Sequence, residues 1–194
     1  MGLAILILGL AAFIAPHVFV TQRDARAAAV ARLGEWPYKG LFSLVSIIGV
    51  ILIAWGFGQY RTSGYIELWS PPTWMRHLAA VLVWPATVLI VAAYIPGHIK
   101  LRLKHPMLVG IKLWALAHLL ANGDLGSILL FGGILAWAVF DRISLKRRTD
   151  PGAPPIPIGG WGNDVAAVIV GTLLYLALAF LFHPLAIGVP AFAR

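Results

Sequence analysis

The sequence predicts an all-α polytopic membrane protein, a helical bundle of about six transmembrane helices. Three observations carry this. Hydrophobic residues make up 60% of the chain and charged ones 11%, with mean hydropathy +0.88, far from a water-soluble domain. The apolar residues fall into long runs separated by short polar connections. Finally, eleven of the fifteen Lys and Arg residues lie in the first, third and fifth connections. Only Arg61, Arg76 and Arg194 fall on the other side, with Lys112 inside a span. Lys and Arg concentrate in cytoplasmic loops, so both termini are expected on the periplasmic side of a bacterial inner membrane.

The first span is expected at about 2–20, with Pro16 bending its inner end. It lacks a basic leading region and a small-residue cleavage site, so it reads as a retained span rather than a signal peptide. Asp24–Leu33, rich in alanine, suits a helix on the membrane surface. The second span, about 40–60, carries Gly49, Gly56 and Gly58, which permit close helix approach. Tyr65, Trp69 and Trp74 in the following loop suit an interfacial aromatic belt. The third span covers about 77–96.

After it, His98–His105 alternates basic and apolar residues. Period two suggests a strand, but a lone strand at a membrane has no pairing partner, so an interfacial segment is expected. The fourth span (106–121) and fifth (125–140) are short, and Asn122-Gly123-Asp124 between them predicts a tight hairpin turn. The connection 141–164 is basic and then rich in proline and glycine, which argues against regular structure. The sixth span is expected at about 165–183, with Pro184 and Pro190 disrupting the tail. The whole of 1–194 reads as a single transmembrane domain.

Composition excludes several functions. Cysteine is absent, which removes disulfides, thiolate metal sites, cysteine nucleophiles and covalent haem attachment. The net charge of +8 clusters beside the spans, where anionic lipid attracts it, so no nucleic-acid partner is expected and membrane lipid is. Nucleotide-binding and zinc-protease motifs are missing. Glutamate occurs only at Glu35 and Glu67, outside the expected spans, so chemistry driven by intramembrane carboxylates has little support.

Polar groups inside the spans are then the informative ones. His118 lies about 18 Å into the fourth span at the standard helical rise, on one face with Trp114 and Asn122. An imidazole there needs a hydrogen-bond partner, a metal or a proton-transfer role. His17 follows Pro16 in the inner part of the first span, and reads either as an interfacial hydrogen-bonding group or as a second metal ligand. Counting along straight helices puts these two histidines at different depths, which opposes pairing them. His105-Pro106 begins the fourth span, where proline fits the first turn. His105, with Lys100, Arg102 or Lys104, can also hold carboxylates or phosphates. Lys112 lies two turns beyond His105 and can snorkel inward, to a haem propionate or to Asp141. Asp124 suits a helix cap. His77 and His183 fall near the outer interface, where a weak metal pair is conceivable.

The stretch His105-Pro-Met-Leu-Val-Gly-Ile-Lys-Leu-Trp-Ala-Leu-Ala-His118-Leu-Leu-Ala-Asn-Gly-Asp124 resembles the NnrU family. The Ala-Pro-His17 segment, the inner Arg-rich loop and Gly40-Leu-Phe-Ser extend the likeness over nearly the whole chain. The resemblance implies an integral membrane protein associated with denitrification and nitric oxide metabolism. That family is similar to the 15-cis-zeta-carotene isomerase, a membrane enzyme whose b-type haem is held by two histidines. By matched position those ligands fall on His17 and His118. The implied functions are a haem-b protein with redox or isomerase-like chemistry, or a non-enzymatic assembly or regulatory partner of nitric oxide reductase. A homodimer is compatible with the small-residue faces. A weaker likeness to isoprenylcysteine methyltransferases lacks a complete cofactor-binding tail.

Overall fold

The computed structural model describes residues 1–148 and 157–192. Helices α1 (Gly2–Phe19), α2 (Arg23–Leu33), α3 (Glu35–Ser63) and α4 (Thr73–Ala92) are followed by the short α5 (His98–Leu103). Then come α6 (Pro106–Ala121), α7 (Leu125–Lys146) and α8 (Trp161–Ala177), the last running into a π-helical stretch, Leu178–Ile187. Five of these segments are long and apolar enough to cross a membrane: α1, α3, α4, α7 and Trp161–Ile187. The shorter α6 is apolar along its 16 residues, about 24 Å of helix. The all-α membrane architecture therefore follows, with α6 as the short sixth member of the set.

The helices present greasy outer surfaces, as lipid requires. On α3, Leu44, Ile47, Ile48, Ile51 and Trp55 are exposed, and on α8 so are Ile169, Leu173 and Leu176. In water such faces would drive aggregation; against hydrocarbon they are satisfied. Tyr65, Trp69 and Trp74 are exposed at the ends of spans, as expected of interfacial anchors.

The chain divides into two compact units, Met1–Leu68 with Asp124–Leu145, and Trp69–Gly123 with Lys146–Arg194. The first is organised by α1 lying along α3. Small residues set that approach. A Cβ on Gly49 would lie 2.7 Å from the Phe13 backbone nitrogen, and one on Gly9 would lie 2.6 Å from that of Ile53. Gly56 meets the Leu6 backbone in the same way. Without a hydrophobic driving force between helices in lipid, such contact is what holds the pair together. Gly34, at φ 85°, ends α2 and starts α3 in a conformation that favours glycine.

The second unit is built on α4, which packs against α6 and α8. Gly110 of α6 approaches the Ala86 carbonyl of α4, where a Cβ would sit 2.7 Å from the oxygen. Two hydrogen bonds tie α8 to α4. Trp84 Nε1–H donates to Thr172 Oγ1 at 2.9 Å, and Tyr175 O–H donates to the Ala80 carbonyl at 3.1 Å.

Several boundaries differ from expectation. The second span is longer at both ends, because Glu35–Lys39 continues the helix with an exposed i, i+4 ion pair at 2.6 Å. The third span starts earlier, at Thr73, and ends at Ala92. His98–Leu103 is helical: its alternation does not impose a strand where no neighbour offers hydrogen bonds. The 106–121 and 125–140 segments, expected as a hairpin, are assigned to different units. Within Asn122-Gly123-Asp124, Asp124 Oδ1 accepts the Ser127 N–H at 2.9 Å and caps α7, as anticipated. The proline-rich stretch 151–156 lies outside the described residues, and 157–160 has no regular structure.

Candidate histidine sites

In the first unit, His17 sits in the last turn of α1. Its ring is surrounded by aromatic side chains from three helices. Phe13 of α1 is 4.3 Å away between ring centres, Phe42 of α3 4.9 Å, and Trp137 of α7 5.2 Å and edge-on. Nδ1 lies 2.6 Å from the Phe13 carbonyl oxygen. A carbonyl only accepts, so this nitrogen carries the proton and donates, which leaves the lone pair on Nε2.

In the second unit, His118 lies twelve residues beyond Pro106, about 18 Å along α6. Its Nδ1 donates to the Trp114 carbonyl at 2.8 Å, and the Trp114 ring stands 4.8 Å away. Asn122 Nδ2–H donates to the His118 carbonyl at 2.8 Å, closing the end of the helix. The His183 ring lies 6.2 Å from that of His118. His183 belongs to the π-helical stretch, whose wider turn accommodates Pro184.

The two embedded histidines thus share one local device. Each donates Nδ1–H to the carbonyl four residues earlier, which fixes the tautomer and orients the ring. Metal-ligating histidines are held this way through their second nitrogen. Among the described residues, no group of three or more His, Asp or Glu could hold a metal ion. Haem would ask fewer side chains of the protein, and a histidine imidazole is one group that could hold it. Each unit carries one imidazole of this kind, His17 in the first and His118 in the second.

His105 precedes Pro106 as the N-cap residue of α6, and its backbone N–H donates to the Leu103 carbonyl at 2.7 Å. Lys112 is partly exposed on α6, in the same unit. His77 is exposed near the start of α4. It is His118 rather than His77 whose ring lies near His183.

One cluster in the second unit was not foreseen. Asp164, in the first turn of α8 and 7% exposed, gathers three donors from the start of α5. Its Oδ2 accepts the His98 N–H at 3.0 Å and His98 Nδ1–H at 2.8 Å, and Oδ1 accepts the Ile99 N–H at 2.9 Å. Trp161 stacks on the His98 ring at 4.3 Å, and Asn163 Nδ2–H donates to the Pro96 carbonyl at 2.9 Å. The sequence signal was an acid in the first turn of a helix that begins after two glycines. This cluster is a latch that fixes the basic α5 to α8.

Long apolar helices with polar groups held inside them define the class: a polytopic helical membrane protein. The chain belongs to the NnrU family, whose model, described as NnrU protein, matches residues 5–191. No curated protein and no solved structure matches it.

Proposed function

We propose that the protein binds b-type haem in the inner membrane and serves nitrogen-oxide or electron-transfer metabolism, with His17 and His118 as the histidines that the family likeness implies would hold it. The observation that carries this is the shared tautomer device: both imidazoles donate Nδ1–H to the preceding turn, so the ligand-capable lone pair is on Nε2. Denitrification and nitric oxide metabolism are what the resemblance to the NnrU family implies. Bound haem would supply a one-electron iron couple.

The chain's own residues do the rest. Phe13, Phe42 and Trp137 exclude water around His17, and Trp114 shields His118. Lys112 is assigned to the anionic edge of the haem, where its ammonium can pair with a propionate. His105 is assigned to anion contact at the start of α6. The absence of cysteine makes attachment non-covalent, so acid–acetone should extract the pigment. The second reading is a membrane assembly or regulatory partner of nitric oxide reductase, in which His118 completes polar packing. Oxidised and reduced spectra of the purified protein, expressed with ample haem supply, separate the two readings. A protein without haem under those conditions favours the partner role.

A further inference from the structure

The indole Nε1–H of Trp137 is buried and has no hydrogen-bond partner among the described residues. Buried donors are nearly always satisfied, and one that is not carries a desolvation penalty. The position of this one is informative. Trp137 lies one turn beyond Gly133 on α7, and Gly133 faces α1, where a Cβ would lie 3.7 Å from Ile14 Cδ1. The Trp137 ring therefore meets α1 at its inner end, edge-on to His17 at 5.2 Å and to Phe13 at 6.5 Å between ring centres. The ring that carries this unpartnered donor thus packs edge-on against an imidazole whose Nε2 carries a lone pair, with Phe13 and Phe42 also against that imidazole. Such surroundings suit a largely apolar ligand that binds at His17 and also presents an oxygen acceptor.

We propose that Trp137 is a further ligand-binding residue of the His17 site, its indole N–H donating to a propionate carboxylate of the haem held there. This rests on the haem reading above. A carboxylate is the strongest acceptor that haem carries, and a charge-assisted bond in a dry site is stronger than a neutral one. The bond would give the orphaned donor an acceptor and one propionate oxygen a donor.

The test is haem loss from the full-length holoprotein in detergent to excess apomyoglobin, comparing wild type with Trp137→Phe, which keeps a ring and removes the N–H. Loss from the variant is expected about tenfold faster, the size of one charge-assisted bond. The Soret position should stay unchanged, because the axial ligands are retained. With the dimethyl ester of haem, which lacks the carboxylate charge, the difference between wild type and variant should shrink. Equal loss rates overturn the proposal, as does a variant effect equally large with the ester, which would reduce Trp137 to packing. A wild-type protein that takes up no haem overturns the haem reading and this inference with it.

Discussion

At the scale of single residues, the account rests on imidazoles whose second nitrogen is already committed. On the proposed haem reading, His118→Ala takes away one of the two histidines that would hold the group, so haem retention after purification should fall severely, read as the Soret-to-protein absorbance ratio. His17→Ala should shift a six-coordinate low-spin spectrum toward five-coordinate high-spin. Unchanged spectra in both variants, with loss only on replacing His98 or His105, would move the site to the inner face. The two histidines were legible in the sequence because charged and polar groups are costly inside a span and therefore conspicuous. Trp137 was not, since eight tryptophans in an apolar chain look alike until one indole N–H proves unpartnered. Asp164 was also missed: it stands at a span's edge, where a carboxylate attracts no notice, and only its three donors reveal it.

At the scale of elements, close helix approach is the main structural device. Gly49→Leu would drive a side chain into the Phe13 backbone. Overpacking of this kind costs about 1–3 kcal/mol, seen as a lower melting temperature in detergent. Gly58→Leu should be nearly neutral, because a Cβ at that position would meet nothing within 4 Å. The second-span glycines that the sequence singled out thus divide into contact-making and idle members, a distinction only the neighbouring helix can make. The α5 latch offers a separate check. Asp164→Asn should weaken the grip on the His98 and Ile99 donors and speed tryptic cleavage at Lys100 and Arg102 several-fold. An unchanged cleavage rate would mean that α5 is held by its own contacts with α4 and α6. The spans were legible through their apolar length, whereas the helical conformation of the interfacial α5 was not, because its six residues alternate with a period of two.

For the whole molecule, charge placement decides orientation. A reporter fused after Arg194 is predicted to behave as periplasmic, and one inserted at 147–160 as cytoplasmic, from the eleven Lys and Arg residues in alternate connections. The reverse pair would sink the charge argument without touching the helix assignments. The membrane class was legible because hydrocarbon leaves few backbone solutions and helices are the simplest. The division into two units was not, because apolar periodicity does not say which helix a span will choose as neighbour. The most direct test of the central claim is the optical spectrum of detergent-purified wild-type protein, oxidised and then reduced, after expression with ample haem. The account predicts a low-spin b-type spectrum with a sharp reduced α-band and pigment that acid–acetone extracts. A protein with no Soret absorbance under those conditions would contradict it.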